Sequence, residues 1–205
     1  MIPFRVTIWT SSHGTEKHYF PQSLNNYFVR NTHFLYPVVN AKPGRLTNDL
    51  FIKEFLSDFE RIPKEINQLN VILMGDNDLR RDKNKGAFHL FVNIQKLIEM
   101  HLDTSHALLV LGLLPCPYSI KHSDLDRHFE ISDFKIEKEI RQLHSKNMGK
   151  NIGFSRTRTF FNEDQNLIDW YQYFERDGVH LKRNGSDCLA RNMLQEIESF
   201  CLCLK

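Results

Sequence analysis

Two polar segments of the sequence hold the side-chain types that serine hydrolases use for acyl transfer. Ser12 lies in the segment Thr-Ser-Ser-His-Gly at residues 10–14, and Asp177 and His180 stand three residues apart near the C-terminus. A serine hydroxyl becomes a nucleophile when a histidine accepts its proton, and an aspartate can orient that imidazole. Serine-type acyl transfer is therefore one chemistry that this sequence could perform.

Two further segments contain donors suited to a developing negative charge. Gly44 lies in Lys-Pro-Gly-Arg at residues 42–45, and Asn77 lies in Gly-Asp-Asn-Asp at residues 75–78. The backbone N–H groups of Ser12 and Gly44 and the Asn77 amide could form an oxyanion hole, which requires donors that are already in place. Each segment alone is more typical of an ordinary turn, because Asn, Asp and Gly favour turns.

Strand-length apolar runs alternate with helical patterns along the chain. The predicted strands are residues 4–9, 34–39, 70–74, 107–114 and 154–161, and the predicted helices are residues 46–62, 88–102, 131–145 and 185–201. Strands that are apolar on both faces and separated by helices indicate a parallel sheet covered on both sides. We predict a three-layer α/β/α sandwich with about five parallel strands, flavodoxin-like, in one domain spanning residues 1–205.

The four polar segments occur in an order that favours a shared site. Three of them follow predicted strands, and the fourth comes shortly before the last predicted helix. Ligands of open α/β sheets bind beyond the carboxyl ends of the strands, which is where such segments meet. Four unrelated turns are a poorer explanation of this arrangement than one site.

The set of segments resembles the SGNH (GDSL-type) hydrolase family over residues 4–200. The resemblance implies a nucleophile at Ser12, oxyanion donors at Gly44 and Asn77, a general base at His180 and an orienting carboxylate at Asp177. The most family-like part is the C-terminal stretch at residues 177–192, which includes Asp-Gly-Val-His-Leu and Asn-Gly.

Two departures from the family pattern favour a domain without catalysis. The family has Gly-Asp before its serine, whereas this chain has Thr10 and Ser11, and glycine permits a tighter turn. Asp76 would place a carboxylate beside the oxyanion donors, where negative charge opposes the reaction, unless it points elsewhere or Arg80 and Arg81 neutralise it. We therefore expect the matched positions to be vestigial.

Within the superfamily, the chain most resembles the C-terminal OSK domain of Oskar, the insect germ-plasm organiser, at residues 10–13, 75–85 and 176–185. That resemblance implies a non-enzymatic, cytoplasmic domain of germ granules that binds messenger RNA in 3′ untranslated regions, with germ-granule proteins as further partners. The basic residues expected to contact phosphates are Lys42, Arg45, Arg80, Arg81, Lys83, Lys85, Arg156, Arg158, Arg176, Lys182 and Arg183.

Other classes of function have less support in the sequence. The four cysteines lack a CxxC spacing and are expected to be reduced thiols, and no HExxH or similar spacing suggests a metal. No apolar run approaches the roughly 20 residues of a membrane span. We expect no cofactor and no small-molecule substrate. Two alternatives stay open: an active esterase or lipase-like hydrolase using Ser12, His180 and Asp177, and a protein-interaction scaffold.

Overall fold

A parallel β-sheet forms the middle layer of the molecule. The computed structural model describes residues 5–11, 19–29, 37–63, 67–116, 124–161 and 170–204. Its strands are β1 (Arg5–Thr10), β2 (Val38–Ala41), β3 (Gln68–Leu73), β4 (Ala107–Leu111) and β5 (Ile152–Ser155). Its helices are α1 (Phe20–Phe28), α2 (Asp49–Arg61), α3 (Asp76–Arg81), α4 (Lys83–Leu102), α5 (Leu125–Ser145) and α6 (Arg183–Cys203).

The strand order reverses next to β1. The sheet has the order β2-β1-β3-β4-β5, and all neighbouring strands are parallel. Thr10, the last residue of β1, pairs with Ala41 on one side and Leu73 on the other. The predicted α/β class with five parallel strands is confirmed. Because the order reverses between β1 and β3, a crevice for ligands is expected at their carboxyl ends.

Side chains of alternate residues supply the two hydrophobic cores. In β1, Val6 and Ile8 join the core that includes residues of α1 and α6, whereas Trp9 joins the core that includes residues of α2, α4 and α5. This alternation is the two-residue period of a strand, and both faces are apolar because both are covered by helices. The sheet is therefore a rigid platform for the polar loops at its edge.

Side-chain caps explain where two of the helices begin. The side chain of Asn48 accepts a hydrogen bond from Phe51 N at 3.1 Å, so α2 begins three residues later than predicted. Asp82 accepts hydrogen bonds from Asn84 N and Lys85 N at 3.1 and 2.9 Å, and α4 begins five residues earlier than predicted. Such residues at the N-cap satisfy backbone N–H groups that lack helical partners.

Some predicted elements differ from the structure. The strand predicted to reach residue 161 ends at Ser155, and Thr157–Phe161 forms a 3₁₀-helix. The Thr157 hydroxyl donates to Leu113 O at 2.7 Å, which holds this turn against the chain leaving β4. Residues 34–36 of another predicted strand lie outside the described residues, and α1 and α3 were not predicted. None of the helices in the described part of the chain is long and apolar enough to cross a membrane.

A buried polar network lies between β3 and α4. The Gln68 amide donates to Asn70 Oδ1 at 2.7 Å, and the Asn70 amide donates to His101 Nε2 at 3.2 Å. His101 Nδ1 donates to Leu97 O at 2.7 Å, so this nitrogen carries the proton of a neutral imidazole. Burial lowers the pKa of His101 to about 4, although the Leu97 hydrogen bond opposes the shift.

This network makes stability depend on pH through His101. The unfolded histidine has a pKa of 6.5 and the folded one a pKa of about 4, so the unfolded chain binds the proton first on acidification. Acidification from about pH 7.5 to about pH 5 should therefore cost the protein roughly 2 kcal/mol through this residue. The difference in free energy of unfolding between the parent protein and His101→Gln should therefore be smaller at about pH 5 than at about pH 7.5 by roughly 2 kcal/mol. Urea denaturation at the two pH values measures it.

The exposed Gln195 on α6 provides a control that does not titrate. The effect of Gln195→Ala on the free energy of unfolding should be the same at both pH values. An equal pH response in the two variants would contradict the role assigned to His101.

Candidate active site

A histidine and an aspartate form a tight pair before the last helix. His180 Nδ1 lies 2.6 Å from Asp177 Oδ2, and Asp177 Oδ1 accepts the backbone N–H groups of Val179 and His180 at 2.8 and 2.9 Å. Gly178 has φ 67°, a left-handed conformation that glycine adopts without strain. Because Asp177 accepts the Nδ1 proton, Nε2 is the nitrogen with a lone pair for a proton in transfer.

The same contacts keep Asp177 charged. Burial would raise the pKa of this carboxyl group, but hydrogen bonds from the His180 side chain and from two backbone N–H groups lower it below the ordinary value. An ionised Asp177 holds the imidazole in one tautomer and stabilises the imidazolium that forms during proton transfer.

Helix packing brings this pair to the edge where β1 ends. Ser23, near the start of α1, donates a hydrogen bond to Asp187, near the start of α6, at 2.5 Å. Since α1 follows β1, its first turn lies near the carboxyl edge of the sheet, and the start of α6 lies beside it. His180 lies three residues before Arg183, the first residue of α6, and therefore belongs to the same edge as Thr10 and Ser11. Ser12 itself lies outside the described residues.

An arginine holds the segment after β2 against the ends of the neighbouring strands. Gly44 has φ 66° and is exposed, as expected for a turn in which glycine follows proline. The guanidinium of Arg45 donates to Asn40 O at 2.6 Å and Thr10 O at 3.5 Å, and it pairs with Glu54 at 3.1 Å. Arg45 therefore joins the ends of two strands.

Asn77 lies at the start of a short helix that is tied to the same segment. Its amide nitrogen donates to Arg45 O at 3.1 Å, which leaves the second hydrogen of the amide for another acceptor. The neighbouring Asp78 accepts hydrogen bonds from Thr47 N and Thr47 Oγ1, each at 3.0 Å. These contacts place Gly44 and Asn77, the proposed oxyanion donors, on segments that are bonded to each other.

Asp76 points toward the end of β1. Its Oδ1 accepts the hydroxyl proton of Ser11 at 3.1 Å, and its Oδ2 lies 3.8 Å from a guanidinium nitrogen of Arg80. The Ser11 hydroxyl and the Arg80 guanidinium therefore compensate part of the charge of Asp76. Ser11 and Asp76 are both buried, so this bond joins the residue before Ser12 to the residue before Asn77.

Five of the basic residues expected to contact RNA already pair with acids of the chain. Lys42 and Arg45 share Glu54, and Arg45 has only 4% of its side chain exposed. Arg158 pairs with Asp126 and lies 5.7 Å above the ring of Trp170. The other two pairs are Arg80 with Asp76 and Arg156 with Glu137.

The remaining basic residues are dispersed. The Lys182 ammonium donates to Tyr171 O, while Arg176 and Arg183 are exposed. Arg81 and Lys85 line a cavity beside α4. The side chain of Lys83 is not among those that the structure describes. Within the described ranges, no group of three His, Cys, Asp or Glu side chains is placed to hold a metal ion.

Comparison with solved structures identifies the fold. A GDSL-like lipase from Bacteroides thetaiotaomicron superposes with a TM-score of 0.67 at 19% identity, covering 95% of this chain and 88% of the lipase. The chain therefore has the SGNH (GDSL-type) hydrolase fold. An acetyl xylan esterase from Geobacillus stearothermophilus gives a TM-score of 0.69 at 14% identity, with 96% and 97% of the two chains covered. A second acetyl xylan esterase gives 0.62 at 19% identity, with 95% and 100% covered.

The prediction of an RNA-binding domain without enzymatic activity is wrong. The solved structures that share the fold are named as a lipase and esterases, which favours the hydrolase alternative over messenger-RNA binding in germ granules. No protein-family model matches the sequence, and the search of curated proteins finds no significant relative.

Several residues that shape the site were missed or misjudged in the sequence. Arg45, one of the residues predicted to contact RNA, is buried, and Ser11, which stands where the family has an aspartate, donates a buried hydrogen bond to Asp76. The buried Asp133, which accepts Leu113 N at 2.9 Å in the segment after β4, was not singled out. Its position on the apolar face of α5, between Phe129 and Ile136, was the available signal.

The Ser11–Asp76 bond should be measurable as a coupling between the two side chains. Ser11→Ala leaves a buried carboxylate without one of its donors and should lower the free energy of unfolding by about 1–3 kcal/mol. The double variant with Ser11→Ala and Asp76→Asn should lose about 1 kcal/mol less stability than the sum of the losses in the two single variants. Urea denaturation of the four proteins gives this coupling directly.

A serine on the exposed side of α6 supplies the comparison. Ser199→Ala should change stability by less than about 0.5 kcal/mol. If Ser11→Ala behaves like Ser199→Ala, or if the two site substitutions are additive, the bond does not join the two segments energetically.

Proposed function

We propose that this protein is a serine hydrolase of carboxylic esters. The observation that carries the proposal is the 2.6 Å contact between His180 Nδ1 and Asp177 Oδ2 at the carboxyl edge of the sheet. The fold supports it, since structural neighbours are named as a lipase and acetyl xylan esterases.

The proposed reaction uses Ser12 as the nucleophile. Its Oγ attacks the ester carbonyl carbon while its proton passes to His180 Nε2. The oxyanion accepts hydrogen bonds from the Asn77 amide and from backbone N–H groups of Gly44 and Ser12. The alcohol leaves with the proton held by His180, and a water molecule activated by the same histidine then hydrolyses the acyl-serine.

The substrate class proposed is a carboxylic ester. The neighbours are named as a lipase in one case and as acetyl xylan esterases in two, and cleavage of an acyl ester is what these names share. We therefore assign the acyl-transfer chemistry to this chain and leave the alcohol unassigned.

Three narrower predictions from the sequence remain predictions. The resemblance to the OSK domain rests on residues 10–13, 75–85 and 176–185 of the sequence. The cytoplasmic location rests on the sequence, in which the four cysteines lack a CxxC spacing and are expected to be reduced thiols. The assignment of residues 1–205 to one domain rests on length and on the lack of a linker.

Kinetics with p-nitrophenyl acetate test the proposed triad. Ser12→Ala and His180→Ala should each lower kcat/KM by at least about 10³-fold, and Asp177→Asn by about 10²-fold or more, because these groups act as one unit. The parent protein, but not Ser12→Ala, should be labelled by a fluorophosphonate.

A histidine away from the site serves as the control. His128 on α5 contacts Asp124 at 3.6 Å, and His128→Gln should retain the activity of the parent. Absence of both turnover and labelling in the parent protein would overturn the proposal. Turnover that survives in Ser12→Ala would assign the activity to another nucleophile.

A further inference from the structure

The cavity lined by Arg81 and Lys85 lies next to the segments that carry Gly44 and Asn77, the proposed oxyanion donors. It has a volume of about 550 Å³ and lies among the segment before α2, the end of α3 and the first part of α4. This volume is typical of sites for small molecules. Gly44, Asn77, Asp177 and His180 are not among its lining residues, so the cavity is distinct from the proposed triad and oxyanion donors.

The acidic residues that line this cavity are already engaged. Asp78 accepts two hydrogen bonds from Thr47, and Asp82 accepts the N–H groups that begin α4. Asp49 lies 3.3 Å from the ammonium of Lys96. The lining acids therefore have partners within the protein.

Three basic side chains of the cavity, unlike its acids, have no polar partner among the described residues. Arg81, Lys85 and His89 line the cavity and are exposed, and none has a side-chain hydrogen bond or ion pair with another residue in the described part of the chain. They are spaced four residues apart across the end of α3 and the first two turns of α4. The cavity therefore offers a group of donors that are available to a ligand, while the charges of its lining acids and bases balance.

A buried amide adds an acceptor to the lining. Asn93 has 5% of its surface exposed, and its nitrogen donates to Thr47 O. Its Oδ1 is buried and has no hydrogen-bond partner among the described residues. An unsatisfied buried acceptor is unfavourable, so a hydroxyl donor at this position would stabilise it.

We propose that this cavity binds a small organic phosphate. A phosphate monoester presents three terminal oxygens, which suits three basic groups better than the two oxygens of a carboxylate do. The Asn93 carbonyl accepts a hydroxyl of the ligand, and Leu46 and Val92 contact its carbon atoms. This inference does not depend on the esterase chemistry of Ser12.

Calorimetric titration of the intact protein with glycerol 3-phosphate, inorganic phosphate and acetate tests the inference. At about 0.15 M salt, where weak surface attraction is screened, we expect glycerol 3-phosphate to bind more tightly than inorganic phosphate, and acetate to show no binding. Arg81→Gln and Lys85→Gln should each weaken glycerol 3-phosphate binding about tenfold, because each removes a charge-assisted hydrogen bond.

The exposed Lys150, away from the cavity, supplies a control with the same loss of charge. Lys150→Gln should bind glycerol 3-phosphate as the parent does. Failure of the parent to bind either phosphate, or equal weakening in Lys150→Gln and Lys85→Gln, would overturn the proposal. Equal affinity for the two phosphates would refute the hydroxyl contact and with it the organic ligand.

Discussion

Arg45 joins the carboxyl ends of β1 and β2 through hydrogen bonds to Thr10 O and Asn40 O. Its own carbonyl oxygen accepts the Asn77 amide, so the same residue also fixes the start of α3. The guanidinium lies 5.5 Å from the ring centre of Trp9 and pairs with Glu54, which offsets the cost of burying its charge. The relative positions of Gly44 and Asn77, the proposed oxyanion donors, thus depend on one buried cation.

Buried carboxylates hold the other loops at this edge of the sheet. Asp78 binds Thr47 after β2, and Asp133 binds Leu113 N after β4. Burial raises the pKa of Asp133 to about 7, although the Leu113 hydrogen bond lowers it. A Cβ on Gly112 would lie 2.6 Å from Asp133 Oδ2, so only glycine lets this carboxylate approach the chain. Backbone N–H groups just beyond the strands thus find hydrogen-bond acceptors in side chains of neighbouring segments.

The architecture could be predicted from the sequence because the spacing of apolar residues and the length of apolar runs are local properties of the chain. β3 and β4 were recognisable as short apolar runs, and the helices near them as amphipathic patterns. The sequence pattern did not predict α1, although Phe20, Leu24 and Phe28 recur every four residues. This helix has only nine residues, and the polar residues between its apolar positions are also typical of a loop. α3 was overlooked because Gly-Asp-Asn-Asp is equally typical of a turn.

The site was only partly predictable because its bonds join residues far apart in the chain. Asp177 and His180 are three residues apart, and their pairing was expected from that spacing. Ser11 and Asp76 are separated by 65 positions, and only the register of β1 with β3 brings them together. Charge placement along the sequence was misleading for the same reason, since the acids that neutralise Arg45, Arg156 and Arg158 lie 9, 19 and 32 positions away.

The Ser11–Asp76 bond bears directly on whether the altered motif can support catalysis. The aspartate missing before Ser12 would have joined the end of β1 to its surroundings by hydrogen bonding. In this chain the Ser11 hydroxyl, directly after β1, is the donor, and the Asp76 carboxylate, after β3, is the acceptor of the hydrogen bond between the two segments. The bond gives the residue before Ser12 a fixed connection to the segment that carries Asn77. The pair also directs the Asp76 carboxylate toward Ser11 and Arg80, which weakens the electrostatic argument against an oxyanion at Asn77.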